Sequence, residues 1–314
     1  MSAKRPIDIQ RDNAVTLRIG GDDDKSPVKE CLSTQDCLYV IKQAGVFKIQ
    51  LADDIDPART NPNIPSLSQR VLIAGYDDPI VARVLLTAKY LFDERNATVN
   101  PFVSKLFENC LVLTRQLLEF DAMTRELEDE IRRKEAALTE KPSAPRTFSL
   151  PSIPRMEMEL NNILCLSDKA KDTILAICRI QFLPHSVGRI KLEDLGKAVE
   201  IALQTESDLI TSWKEYVKNF SLIRNMRNAC EHPKENHQVV LTDFSMRADG
   251  RINSPLIEIQ HPDTPIRILP VIEFLTSIRN TLVEHAETTL VFIRFGVLLK
   301  HNPFGEWVAE FPEE

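Results

Sequence analysis

Residues 209–233 read Leu209-Ile210-Thr211-Ser212-Trp213-Lys214-Glu215-Tyr216-Val217-Lys218-Asn219-Phe220-Ser221-Leu222-Ile223-Arg224-Asn225-Met226-Arg227-Asn228-Ala229-Cys230-Glu231-His232-Pro233. Leu209, Trp213, Tyr216, Val217, Phe220 and Ile223 recur every three or four positions, the spacing of one buried helical face. Thr205-Glu206-Ser207-Asp208 just upstream supplies hydroxyl and carboxylate groups suited to capping free amides at a helix start. Pro233 has no amide hydrogen and disfavours helical geometry in the residue before it, so the helix must end at or shortly before His232. Trp213 and Tyr216 share the buried face with Phe220, which makes them core residues rather than stacking platforms for bases.

Upstream of this helix, Lys191–Leu203 forms another, and Ser167-Asp168 resembles an N-cap for a helix over Lys169–Phe182 that Pro184 stops. A shorter helical piece, Met156–Leu164, precedes that cap. Downstream, Val239–Phe244 and Leu256–Ile259 flank Ala248-Asp249-Gly250, whose Asp-Gly pair is a strong turn signal, so a β-hairpin is expected. From Ile266 the helical spacing returns and runs to about Leu299, with a bend at Pro270. Residues 155–314 therefore read as a helical bundle with an inserted β-hairpin.

The first half is a smaller α+β region, 1–140, that ends in a long helix. Val15–Ile19, Cys37–Lys42 and Val46–Leu51 are strand-like, with Gln43-Ala44-Gly45 as a hairpin turn. The acidic run Asp22–Asp24 reads as a solvated loop rather than a metal site. Asp77-Asp78-Pro79 offers an acidic cap and a first-turn proline for a helix over Ile80–Phe92. Leu106, Cys110, Leu113, Leu117, Phe120, Thr124, Leu127, Ile131, Lys134 and Leu138 then step alternately by four and three, one seam of a long helix. Thr124 and Lys134 interrupt the seam, and the charged stretch Glu126–Glu135 is expected to project from the body. Four prolines in 141–154 mark a linker between the halves. The fold class is mainly α.

At 43% hydrophobic and 27% charged residues over 314 positions, there is ample material for a core. The net charge of −7 opposes general coating of nucleic acid, so any RNA site must be a local cluster of cations. The six cysteines form no C-x-x-C pair and read as reduced, mostly buried thiols. Met1–Asn13 has no apolar core of a secretory signal, and Thr288–Leu299 is short and carries Arg294, so no membrane segment is expected and the cytoplasm is the default location. Phosphate-cradling G-x-x-x-x-G-K-[ST] and G-x-G-x-x-G loops, an H-E-x-x-H helix and a G-x-S-x-G elbow are all missing from the sequence. Nucleotide hydrolysis, dinucleotide redox, zinc proteolysis and ester hydrolysis therefore lack their usual parts, and no cofactor or metal is expected.

Four Arg–His pairs have similar spacing: Arg179 with His185, Arg227 with His232, Arg279 with His285, and Arg294 with His301. Only Arg227 is followed by Asn and then by His after three more residues. Arg279-Asn280 is one residue too long and sits mid-helix, where six positions turn through about 240° and point the side chains apart. Arg227-Asn228-x-x-x-His232 at a helix end resembles the signature of the HEPN superfamily. The resemblance covers roughly residues 155–300. It implies a helical bundle, commonly dimeric, that in many members cuts RNA without metal in toxin, phage-defence or RNA-processing systems, and in others survives as a binding domain.

Such cleavage needs a base for the 2′-hydroxyl, a cation beside the phosphate and an acid for the departing 5′-oxygen. His232 is the imidazole for proton transfer, and Arg227 presents a planar fork to phosphate oxygens. Asn228 and Glu231 are supporting residues that hold the backbone or the ring, and Arg224, one turn back, adds phosphate affinity. One chain offers one convincing histidine, so the resemblance implies a homodimer whose two copies share a cleft. The products then carry 2′,3′-cyclic phosphate and 5′-hydroxyl ends. An antitoxin or regulator, where one exists, is a separate chain. The competing expectation is a non-catalytic binding or dimerisation protein, in which Arg227 and His232 are tied up in local hydrogen bonds.

Overall fold

The computed structural model describes residues 4–13, 18–20, 25–35, 37–92, 101–138, 149–184, 192–203 and 207–299. It divides into two units, Met1–Leu111 and Val112–Glu314. Most of the expected linker and of the expected strand Val15–Ile19 lies outside the described residues, as does the acidic run at 22–24.

In the first unit, helix α1 (Pro6–Asp12) precedes an antiparallel meander of β1 (Val28–Ser33), β2 (Leu38–Lys42), β3 (Gly45–Gln50) and β4 (Leu67–Leu72). The expected turn at Gln43-Ala44 is present, closed by the pairing of Lys42 with Gly45. Gly75 lies against this turn so closely that a Cβ there would stand 2.2 Å from the Lys42 carbonyl oxygen, which leaves room for glycine alone. A short helix, α2 (Ala52–Ile55), carries Asp53 and abuts Asp56; Arg11 bonds to both carboxylates at 2.8 and 3.0 Å. Helix α1 lies in a stretch read from sequence as loop and strand. Its amphipathic signal is weak because none of its residues is buried, and ion pairs rather than apolar packing fix it.

Asp78 caps the next helix as expected, its carboxylate accepting from the amides of Ile80 at 2.8 Å and Val81 at 3.4 Å. Helix α3 (Pro79–Val81) continues through a π-turn over Ala82–Leu86 into α4 (Thr87–Phe92). The long helix α5 (Pro101–Leu138) follows, and the division between units falls within it. Its seam is buried: Leu106, Cys110, Leu113, Leu117 and Phe120 have no exposure, and Thr124, Leu127 and Ile131 very little. The charged stretch Glu126–Glu135 therefore does not project, contrary to the sequence reading. Leu127 and Ile131 keep it docked, and Glu135 accepts a hydrogen bond from Ser254. The flanking charges ride on the outer face of a helix whose inner face stays apolar.

The described residues of the second unit are mainly helical, with a three-stranded and a two-stranded sheet. Helix α6 (Met156–Phe182) is a single element, where the sequence reading had a break at Ser167-Asp168. Ser167 is buried and donates to the Leu164 carbonyl at 2.7 Å, so its hydroxyl serves the helix interior rather than capping a new start. Helices α7 (Leu192–Leu203) and α8 (Ser207–Glu231) pack against α6 and each other. Trp213, Phe220 and Ile223 are buried on α8 as the spacing implied, Tyr216 and Val217 are half-buried, and Met226 and Ala229 extend the buried face.

Beyond α8 come β5 (Gln238–Thr242), a two-stranded tip of β6 (Ser245–Met246) and β7 (Ile252–Asn253), and β8 (Leu256–Gln260). The hairpin and its Asp249-Gly250 turn are as expected, Gly250 taking φ of 80°. Strand β9 (Ile266–Pro270) then pairs antiparallel with β8, and the last helix, α9 (Val271–Leu299), begins only after it. The sequence reading placed Ile266–Pro270 in that helix with a bend at Pro270. Residues preceding a proline favour extended backbone, and two isoleucines add to that bias, so the chain stays in the sheet until Pro270 is passed. Among the described residues, no helix is long and apolar enough to cross a membrane.

Candidate functional site

Arg227, Asn228 and Glu231 occupy the last turn of α8, and His232 follows directly, its amide closing the final helical bond to the Asn228 carbonyl at 2.9 Å. Pro233 then ends the helix as expected. Arg227 is about one-third exposed, pairs with Glu231 through Nη2 and donates from Nη1 to Asn228 Oδ1 at 3.2 Å. His232 is 69% exposed, and its Nε2 lies 3.9 Å from Glu231 Oε2, the same oxygen that receives Arg227. One carboxylate oxygen thus pairs with the guanidinium and lies near the imidazole, beyond hydrogen-bond distance.

The other Glu231 oxygen accepts from the Cys165 thiol of α6 at 3.0 Å. That bond, followed by the nearby Arg227 and His232 charges, holds the Glu231 carboxyl below its usual range. Burial, with a contribution from Glu231, pushes the Cys165 thiol up to about 11, so it remains a protonated donor at neutral pH. Glu231 is consequently a fixed anion anchored from two sides.

Three residues outside the sequence-derived set, Lys234, His237 and His261, arrive at the same place. Lys234 and His237 exchange backbone hydrogen bonds of 2.9 Å in a tight turn, with Asn236 at its centre in the left-handed region, φ 61°. The turn carries His237 back beside the end of α8. Strand register does the rest: Gln238 pairs with Gln260, so the positions just outside the ladder, His237 and His261, face each other. Their rings meet edge to face, centroids 4.6 Å apart. His261 Nδ1 accepts from the amides of Asp263 and Thr264 at 3.2 and 3.3 Å, which assigns its ring proton to Nε2. Asn225 of α8 donates to Thr264 Oγ1 at 3.2 Å and ties this turn to the helix.

Asn228, Ala229, His232, Lys234, His237 and His261 line a cavity of about 340 Å³. Arg224, expected to reinforce the site, instead lines a different and larger cavity, about 1020 Å³, with Trp213 and residues of α6 and α7. The competing pair separates as its spacing implied. Arg279 bonds to Asp121 of α5 at 2.6 Å, whereas His285 is buried against Tyr216 and Phe220. Among the described residues, no group of three His, Cys, Asp or Glu side chains has the arrangement of a metal site.

No protein family, curated protein or solved structure matches the chain. Functional inference therefore rests on the geometry at the end of α8. The signal for His237 and His261 was present in the sequence only as a histidine on each outer flank of a predicted hairpin, and it becomes readable once the register of β5 with β8 is known.

Proposed function

We propose that the second unit is a metal-independent endoribonuclease of the HEPN type, of the kind found among toxins and phage-defence effectors, with Arg227 and His232 at its centre. The observation that carries the reading is the convergence of Arg227, paired with Glu231, and of His232, which lines an open cavity, at one helix end. Arg227 stabilises charge accumulating on the phosphate, and His232, mostly exposed on the cavity wall, transfers a proton. Lys234 adds a second cation on the cavity wall, which meets the need for local positive charge in an acidic protein.

A homodimer, which the resemblance implies, was required from sequence because one histidine cannot act as both acid and base. With His237 and His261 at the same cavity, that requirement lapses. The test is the chemistry of the ends. RNA incubated with the protein in EDTA should give fragments with 2′,3′-cyclic phosphate and 5′-hydroxyl termini. Fragments ending in 5′-phosphate and 3′-hydroxyl would refute the mechanism.

A second reading, a non-catalytic binding or dimerisation domain, draws on the ion pair of Arg227 with Glu231 and its bond to Asn228, which occupy the guanidinium locally. It predicts RNA binding or self-association without cleavage.

A further inference from the structure

Metal-free cleavage of RNA needs two proton carriers, and His232 supplies one. We infer that His237 is the other, the general acid for the leaving 5′-oxygen, so that one chain holds a complete acid–base pair. This rests on the ribonuclease reading above and names a residue that the Arg–Asn–x–x–x–His pattern does not contain.

Three observations carry it. His237 and His232 line one cavity, together with Lys234 and Asn228. The turn that presents His237 is fixed at both ends, by the paired 2.9 Å backbone bonds of Lys234 and His237 and by the Gln238 amide, which donates to Gln260 Oε1 at 2.7 Å. The ring itself is oriented: Nδ1 lies 3.3 Å from the Glu235 carbonyl oxygen, which can only accept, so Nδ1 carries a proton and Nε2 is the atom free to exchange one. The edge of His261, whose Nδ1 is occupied by two amides, packs against this ring and fixes its tilt. His261 is thus a positioning residue.

The reaction balances within the cavity. His232 takes the proton of the 2′-hydroxyl as O2′ attacks phosphorus. The P–O5′ bond breaks, the electron pair stays on O5′, and the Nε2 proton of His237 passes to it. The products are a 2′,3′-cyclic phosphate and a 5′-hydroxyl, and the two histidines have exchanged protonation states. Lys234, on the cavity wall, offsets the charge on the non-bridging oxygens, and Arg227, one residue before the lining Asn228, adds positive charge from outside the cavity wall.

A substrate whose leaving group needs no proton separates acid from base. A cleavage site is first mapped on a mixed-sequence RNA with the wild-type protein. The same RNA is then made with sulfur replacing the 5′-bridging oxygen at that site, since a thiolate departs unprotonated. His237→Asn, whose amide can still donate to the Glu235 carbonyl, is the main variant, and His237→Ala is the second; circular dichroism checks both folds.

On the oxygen substrate His237→Asn should lose about 10²- to 10⁴-fold in rate, the range for removal of a general acid. On the sulfur substrate it should return to within about tenfold of wild type. His232→Ala should fail on both. Equal loss on the two substrates, or wild-type rates on the oxygen substrate in either folded variant, overturns the assignment while leaving the nuclease reading in place. A wild-type protein that cuts neither RNA overturns both.

Discussion

His285 is buried at 4% exposure in the second unit, with its ring 4.2 Å from that of Tyr216 and edge-on to Phe220 at 5.4 Å. Its Nε2 meets the Asn219 side-chain amide at 3.1 Å, while Nδ1 has no partner among the described residues. Burial lowers its pKa from 6.5 to about 4. The folded state therefore keeps this ring neutral over a range in which the unfolded chain protonates it. Stability from this group is complete above pH 6.5, declines as pH falls from 6.5 towards 4, and levels off below. Linkage over that gap of about 2.5 units costs about 2 kcal/mol by pH 5 and about 3 kcal/mol by pH 4.

Carboxylates also titrate in this window, so the useful quantity is the difference between wild type and His285→Gln, which cannot protonate. Urea unfolding followed by tryptophan fluorescence at pH 7, 5 and 4 measures it; both tryptophans, Trp213 and Trp307, fall in the second half of the sequence. The wild type should lose about 3 kcal/mol more than the variant between pH 7 and pH 4. Parallel pH profiles would show that the ring is hydrated or protonated when folded, and would refute the burial argument. RNA cleavage at pH 7 should be unaffected by His285→Gln, because the ring belongs to the core and not to the cavity.

Two further outcomes follow from the packing and the charges. Leu117→Ala, at a position of the α5 seam with no exposure, should destabilise the second unit by about 2–5 kcal/mol in urea unfolding, whereas Lys134→Ala on the half-buried part of the same seam should cost under about 1 kcal/mol. Glu231→Gln removes the anion that occupies Arg227, so RNA measured at low salt should bind several-fold more tightly. Weaker RNA binding by that variant would mean that Glu231 organises the binding surface instead of masking it.

Local chemistry made part of this fold legible in advance. The seam of α5, the Asp78-Pro79 helix start, the Asp249-Gly250 turn and the stop at Pro233 each depend on residues adjacent in sequence, and each is present. The misread elements were decided by partners far away in the chain. Ser167-Asp168 carries capping chemistry, but burial of Leu164, Ser167 and Ala170 keeps α6 continuous. Ile266–Pro270 becomes strand because β8 offers a free edge. The same limit applied at the site. Arg227, Asn228, Glu231 and His232 lie within six consecutive positions and could be read together, whereas His237 and His261 converge only through the register of β5 and β8, and Arg224 lines the other cavity, formed with α6 and α7, which only the packing of those helices creates.

The central claim is that Arg227 and His232 together cut RNA without a metal. Cleavage of a mixed-sequence RNA in EDTA should be compared for wild type, Arg227→Ala and His232→Ala, with circular dichroism to confirm folding. The wild type should cut RNA despite the chelator, and each variant should lose about 10²-fold or more in rate. Equal rates in all three proteins, or cleavage that EDTA abolishes, would contradict it.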